Sequence, residues 1–142
     1  DFTSKGCEEF IKRIKKFTSL YIVELPDIKG QMQANIIKQL EAEKIISKLK
    51  SDDFLILLDE KGKSFSSVQF AQYIEKKSNQ STKKIVFLIG GAYGFDTKIY
   101  ERANDKISLS DMTFSHQLIR LIFMEQLYRA YTILHNLPYH NE

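Results

Sequence analysis

Glycines that directly follow an apolar run are the first feature of this chain whose type and spacing indicate chemistry. The run Ile85–Ile89 ends at Gly90 and Gly91, and Gly94 comes three residues later. Because glycine has no Cβ, a ligand can approach the main-chain groups of such a segment closely. The spacing matches neither the dinucleotide fingerprint G-x-G-x-x-G nor the phosphate loop G-x-x-x-x-G-K-[ST]. A binding loop and a tight turn without a ligand therefore both remain open.

Adjacent carboxylates at Asp59 and Glu60 are the second such feature. They follow the apolar run Phe54–Leu58, and paired carboxylates can contribute oxygen ligands to a metal ion. However, lysine follows them directly, and no histidine lies nearby in the sequence. We therefore interpret residues 59–63 as a solvated turn and predict no metal site.

Alternating helix and strand patterns predict the elements that would position these residues. Apolar residues at helical spacing predict helices at about 4–17, 31–49, 68–77, 96–103 and 116–135, the third capped by Ser66 or Ser67. Runs of aliphatic, β-branched and aromatic residues predict strands at 20–25, 54–58, 84–89 and 106–109. Turns or loops are predicted at 26–30, 59–63 and 78–82.

This order of elements predicts an α/β fold with a parallel sheet and helices on both faces. The strands at 54–58 and 84–89 are continuously apolar, which is typical of strands covered on both sides. In such sheets, ligands bind beyond the carboxyl ends of the strands. The positions to consider are therefore Leu58-Asp59, Ile89-Gly90-Gly91 and Leu109-Ser110.

Length and composition limit the classes of protein that fit. The 142 residues suit one domain, which we expect to span residues 1–142. A net charge of +3 permits an anionic partner such as RNA but does not require one. The longest apolar runs are too short to cross a membrane, and we expect a cytoplasmic protein. The single cysteine, Cys7, lies in a helical apolar pattern, which predicts a buried thiol.

Three blocks of sequence together resemble the RlmH family. They are LLDEKGK at residues 57–63, LIGGAYGF at residues 88–95, and SLSDMTFSHQLIRLIFMEQLYRAYTI at residues 108–133 followed by PYH at residues 138–140. The RlmH family comprises SPOUT-class methyltransferases that act on a pseudouridine of large-subunit ribosomal RNA. The blocks occur in the order and spacing of that family, and the resemblance covers essentially the whole chain.

The resemblance implies a C-terminal trefoil knot, a homodimer and S-adenosylmethionine bound in the knot. Carried across by motif, the cofactor-binding residues are Leu58, Gly90, Leu109, Ser110, Asp111, Met112, Thr113 and Phe114. Apolar side chains among them would flank the adenine ring. We expect an uncharged pocket, because the methyl donor is a sulfonium cation without phosphates to neutralise.

The same resemblance points to 23S ribosomal RNA as the partner and to N3 of a pseudouridine as the methylated atom. His116 and Arg120 share one face of the last helix and are candidates for contacting RNA phosphates. Tyr139 could stack on a base, and His140 is the first candidate for assisting loss of the N3 proton. Asp111 and water are the other candidates for that proton. Alternatively, Tyr139 and His140 form a terminal plug that only packs.

One departure and two alternatives stay open at this point. The family normally begins with an additional strand before the basic helix, whereas this chain starts at Asp1. Either the natural start lies earlier, which we favour, or the sheet is one strand short. The first alternative function is a non-catalytic ribosome- or RNA-binding module with the same fold. The second is a flavodoxin-like nucleotide-binding protein, against which the missing phosphate motif counts.

Overall fold

The computed structural model describes residues 1–26, 28, 30, 32–80, 84–90 and 94–141. Within these residues the chain forms five helices and three strands. They are α1 (Phe2–Ile14), α2 (Ala34–Lys48), β1 (Phe54–Ser64), α3 (Ser67–Gln80), β2 (Ile85–Ile89), α4 (Thr97–Arg102), β3 (Asp105–Ser108) and α5 (His116–Leu134).

The three strands form one parallel sheet in the order β2-β1-β3. Phe54 of β1 pairs with Ile85 of β2, and Leu58 pairs with both Ile89 of β2 and Ile107 of β3. The central position of β1 explains its sequence, because a strand with neighbours on both edges and helices on both faces is fully buried. Residues 55–57 of this strand have no solvent exposure.

Helices cover both faces of this sheet, as the sequence predicts. On one face, Ile56 and Ile107 belong to a core with residues of α1, α3 and α5, among them Phe70 and Phe123. On the other face, Leu55 and Leu57 pack with Ala42 of α2 and Ile99 of α4. The side chains of β1 alternate between the two cores because successive residues of a strand point to opposite faces.

Side-chain caps fix where three of the helices begin. The carboxylate of Asp1 accepts from the backbone N–H of Ser4, that of Asp96 from Lys98, and the hydroxyl of Ser115 from Leu118. All five predicted helices are present, with ends displaced by a few residues. The predicted loop at 78–82 is wrong at residues 78–80, which continue α3. Cys7 is half-buried against the core, and burial raises the pKa of its thiol.

The predicted strand at residues 20–25 is wrong. These residues take no strand conformation, and no strand pairs with them in the part of the chain that the structure describes. Tyr21 and Val23 are 82% and 68% exposed. The physical reason is that β propensity reflects how well a residue packs on a neighbouring strand, and here no such neighbour is present. Residues 27 and 29 of the predicted turn at 26–30 lie outside the described residues.

The predicted turn at residues 59–63 is also wrong, because β1 continues to Ser64. Leu58 and Lys63 both pair with Ile107 of β3, so residues 59–62 form a large irregularity within a single strand. At its end, Gly62 passes directly against the backbone of β3. A Cβ on Gly62 would lie 2.6 Å from the backbone nitrogen of Ile107, a distance that real Cβ atoms do not reach.

Candidate active site

A cleft opens where the buried part of β1 ends, beside the carboxyl ends of β2 and β3. Its volume is about 430 Å³, and its walls include Leu58 after the buried part of β1, Gly90 after β2, and Leu109 after β3. These are the three strand ends that the sequence predicts to carry a ligand site. The cleft arises because parallel strands place their carboxyl ends at one edge of the sheet, where the chain leaves the sheet in different directions.

The loop after β3 is held in shape by its own hydroxyl groups. The Ser108 hydroxyl donates to the carbonyl oxygen of Ser110 over 2.9 Å, and the Ser110 hydroxyl accepts from the backbone N–H of Met112 over 2.9 Å. The Thr113 hydroxyl donates to the carboxylate of Glu60 over 3.3 Å, which joins this loop to β1. Local hydrogen bonds of this kind organise a loop without strand pairing.

Gly90 lines the cleft at a position with little room for a side chain. A Cβ at this position would lie 3.0 Å from the ring of Phe95, which itself lines the cleft. A position where a side chain would crowd Phe95 and the cleft is consistent with the binding role predicted for the first glycine of the pair. The prediction for Gly91 lies outside the described residues.

Charged groups line the cleft, so the expectation of an uncharged pocket is wrong. Asp59 and Glu60 contribute two carboxylates and Lys61 one ammonium group, which together give these three residues a formal charge of −1. The sequence-based interpretation failed because it placed Asp59 and Glu60 in a solvated turn. Because of the irregularity in β1, these residues instead line the cleft.

Tyr100 of α4 is a further residue of the cleft that sequence reasoning missed. Its hydroxyl donates a hydrogen bond to Asp59, and its ring contacts Phe95 edge-on at 5.9 Å between centroids. Partial burial and the bond to Asp59 raise the pKa of Tyr100 to about 12, so it remains a donor at neutral pH. The only signal in the sequence was that Asp59 follows a buried strand, and nothing there points to Tyr100.

Most predicted cofactor residues line this one cleft. They are Leu58, Gly90, Leu109, Ser110, Met112, Thr113 and Phe114. Asp111 belongs to the same loop but is not among the lining residues. His116 lines the cleft at the start of α5, whereas Arg120 is exposed one turn further along the helix and does not line it.

Tyr139 and His140 lie elsewhere, folded back on the second half of α5. The Tyr139 hydroxyl donates to Glu125 over 3.2 Å, and the Tyr139 ring contacts Tyr128 edge-on at 4.8 Å. Nδ1 of His140 lies 3.0 Å from a guanidinium nitrogen of Arg129. Arg129 also pairs with Glu125, as the i to i+4 spacing predicts.

The cleft and this C-terminal group are well separated within one chain. Ile119 is the last residue of α5 that lines the cleft, and Arg129 lies ten residues further along the helix. At about 1.5 Å per residue, the separation is about 15 Å along the axis of α5. The structure therefore brings the predicted cofactor residues together but does not bring His140 to them.

Comparison with known proteins identifies the family. The family model described as "Predicted SPOUT methyltransferase" matches residues 1–140. The chain belongs to the SPOUT methyltransferase family. The cleft at the carboxyl ends of the strands is therefore the candidate active site of a SPOUT methyltransferase.

Curated relatives of this SPOUT methyltransferase carry the name "Ribosomal RNA large subunit methyltransferase H". The protein from Parabacteroides distasonis is 49% identical over 140 residues, which are 97% of this chain and 89% of the relative. The protein from Phocaeicola vulgatus is 51% identical over 136 residues, 94% of this chain and 87% of the relative. The protein from Cytophaga hutchinsonii is 45% identical over 141 residues, 99% of this chain and 91% of the relative. The resemblance to the RlmH family is thus confirmed.

Two features are absent from the described residues of this SPOUT methyltransferase. None of their helices is long and apolar enough to span a bilayer. The same residues contain no group of three or more His, Cys, Asp or Glu side chains that could hold a metal ion.

Proposed function

We propose that this protein uses S-adenosylmethionine to methylate N3 of a pseudouridine in 23S ribosomal RNA. The observation that carries the proposal is the convergence of three strand ends on one cleft, in a chain that belongs to the SPOUT methyltransferase family. The name of the relatives supports large-subunit ribosomal RNA as the substrate. Resemblance to the RlmH family supports the pseudouridine and its N3 position.

The proposed cofactor-binding residues fit S-adenosylmethionine in size and shape. A cleft of about 430 Å³ is within the usual range for small-ligand sites. Leu58, Leu109 and Met112 offer apolar side chains for the two faces of adenine, and Gly90 adds no side chain to the same cleft. Main-chain N–H and C=O groups of residues 109–114 are the proposed hydrogen-bond partners of the polar edge of adenine. When bound, S-adenosylmethionine supplies an electrophilic methyl group on a sulfonium cation.

The carboxylates of the cleft favour a cationic ligand over an anionic one. Asp59 and Glu60 give the site its negative charge, which attracts the sulfonium and ammonium groups of the cofactor. A phosphate-bearing nucleotide would be repelled by the same carboxylates. This charge therefore supports a methyltransferase rather than the nucleotide-binding alternative.

Catalysis in this proposal consists mainly of alignment. The N3–carbon bond forms as the carbon–sulfur bond breaks, so the residues of the cleft must hold the two partners in line. N3 must also lose its proton. His140 and Asp111 are the proposed side chains near this step, with water as the remaining acceptor. His116, Arg120 and Tyr139 are the proposed contacts to RNA.

A homodimer and a trefoil knot complete the proposal. The separation of His140 from the cleft supports a homodimer, because a second copy could bring its own C-terminal group to the site. The tight passage of Gly62 against β3 supports a crossing of chain segments such as a knot requires. A protein that modifies ribosomal RNA would work in the cytoplasm, where ribosomes assemble.

Transfer of a labelled methyl group to ribosomes tests the proposal. Purified protein and labelled S-adenosylmethionine are incubated with ribosomes from cells that lack this protein, and the RNA is analysed by mass spectrometry. We expect one methyl group on one pseudouridine of the large-subunit RNA. Ribosomes from cells that contain the protein are the matched control and should accept almost none. A protein that binds ribosomes but transfers no label to either sample would contradict the proposal.

A further inference from the structure

The contact between Arg129 and His140 restricts the chemistry of the histidine. Nη1 of Arg129 lies 3.0 Å from Nδ1 of His140. A guanidinium group has five N–H donors and no acceptor, so a hydrogen bond here requires a lone pair on Nδ1. In a neutral imidazole, the proton then resides on Nε2. The contact therefore selects one of the two tautomers of His140.

The guanidinium of Arg129 is itself fixed in direction by Glu125. Nε of Arg129 donates to Oε1 of Glu125 over 3.0 Å, and Nη2 donates to the same oxygen. With these two donors engaged, Nη1 is the nitrogen that is directed at His140. Hydrogen bonding to Glu125 also raises the pKa of Arg129, so that its charge is retained. A planar fork held in this way is far more directional than a lysine would be.

Tyr139 completes the support for this arrangement. Its ring lies under the guanidinium of Arg129, with 4.8 Å from the guanidinium carbon to the ring centroid. Its hydroxyl donates to Oε1 of Glu125 over 3.2 Å. Glu125, Arg129 and Tyr139 are all only partly exposed, which favours a defined geometry over a fluctuating surface pair.

We propose that Arg129 is a positioning residue that holds His140 as the Nε2–H tautomer, so that His140 acts toward the substrate as a hydrogen-bond donor and not as the base. This inference rests on the proposed function. With Nδ1 accepting from Arg129 and Nε2 carrying the proton, the ring has no lone pair left to take the proton of N3. The proton of N3 passes to water, and Nε2–H stabilises the negative charge that develops on a carbonyl oxygen beside N3.

Nitrogen NMR of the free, full chain tests the tautomer without any methylation assay. We expect the ring of His140 to show a protonated Nε2 and an unprotonated Nδ1 at neutral pH. In Arg129→Met, the share of the Nδ1–H tautomer should rise to that of a free histidine side chain, which itself favours Nε2–H only moderately. The matched control is Arg13→Met, because Arg13 also pairs with a glutamate at i to i+4 and lies over Tyr128 but contacts no histidine. A wild-type ring protonated on Nδ1 would overturn the proposal, even if Arg129→Met failed to fold.

Two substitutions of His140 separate a donor from a base. Glutamine can donate a hydrogen bond but cannot accept a proton at neutral pH, whereas phenylalanine can do neither. We expect His140→Gln to keep kcat within about tenfold of the wild type and His140→Phe to lose about 100-fold or more. Equal large losses in both variants would assign His140 as the base and overturn the proposal. If the wild type itself methylated no RNA, the proposed function would fail, while the NMR result would still decide the role of Arg129.

Discussion

Gly90 is the residue at which a single added side chain should damage the cleft most directly. In Gly90→Val, the new Cβ would meet the ring of Phe95 at 3.0 Å, and because both residues line the cleft, the crowding should change its shape. We expect the Kd for S-adenosylmethionine to rise about tenfold or more, equivalent to at least about 1.4 kcal/mol. Isothermal titration calorimetry measures this change.

Thermal unfolding of the same variant provides the control for Gly90→Val. Gly90 has an ordinary negative backbone φ, since positive values among the described glycines occur at Gly30 and Gly94. A valine at this position should therefore be compatible with the backbone conformation, so that strain is confined to the contact with Phe95. An unchanged Kd in a folded variant would place the cofactor outside this cleft.

At the level of single residues, the sequence predicted where the cleft lies but not the charge of the groups that line it. Leu58, Gly90 and Leu109 could be found because each follows a recognisable apolar strand, and parallel strands end at the same edge. The role of Asp59 was missed because the irregularity of β1 has no local sequence signature. Tyr100 could not be found, since it meets Asp59 only after α4 has packed against the sheet.

The close passage of β1 against β3 should make Gly62 intolerant of any side chain. A Cβ in Gly62→Ala would lie 2.6 Å from backbone atoms of both Lys106 and Ile107, which cannot rotate away as a side chain can. We expect a loss of about 3 kcal/mol or more in the free energy of unfolding, or failure to fold. Urea denaturation measures the loss.

Gly6→Ala is the matched control for this substitution. Its Cβ would also come within 2.6 Å of a neighbour, but that neighbour is a terminal methyl group of Leu121, which can move. Since alanine favours a helix by about 0.5–1 kcal/mol over glycine, we expect Gly6→Ala to be nearly neutral. Equal losses for both variants would show that backbone contact is not the cause at Gly62.

Because of a hydrogen bond between α3 and β3, the free energy of unfolding should fall as the pH rises into the alkaline range. The Tyr73 hydroxyl donates to Asp105 over 2.7 Å, and burial together with this bond raises the pKa of Tyr73 above its ordinary value. The folded state therefore retains the proton more strongly than the unfolded chain. This contribution is complete below about pH 10 and is lost as the pH rises above that value.

Tyr73→Phe tests this linkage. At pH 7 we expect a loss of about 1 kcal/mol in the free energy of unfolding, from the missing hydrogen bond. Above about pH 10, the wild type should lose stability more steeply than the variant. Denaturant unfolding at a series of pH values provides both numbers, and parallel curves for the two proteins would contradict the assignment to Tyr73.

Elements could be predicted where local pattern and tertiary partner agree. The strands β1 and β2 and the helices α1 and α5 follow from runs and periodicities that the fold then uses. Residues 20–25 have equally strong β propensity, but pairing with a neighbour decides whether such a segment forms a strand. The predicted end of β1 was wrong for the opposite reason. Pairing with β3 extends this strand through polar residues and a glycine.

At the scale of the whole molecule, the separation of His140 from the cleft determines how the proposed homodimer must work. One chain holds its C-terminal group about 15 Å along α5 from the cleft. If His140 and the cofactor cleft serve one reaction, the histidine must come from the second copy. Each active site would then need residues from two chains.

Co-expression of two inactive variants tests this arrangement. Gly90→Val should disable the cleft of its own chain but keep a normal His140, and His140→Phe should do the reverse. When the two chains mix randomly, half of the dimers contain one of each, and one of their two sites is intact. With S-adenosylmethionine well below the raised Kd of Gly90→Val, we therefore expect about a quarter of the wild-type methyl transfer from the mixture, compared with about a tenth or less from either variant alone. If the mixture stayed inactive while both chains folded and associated, His140 would have to act on the cleft of its own chain, which would require α5 and the C-terminal residues to rearrange.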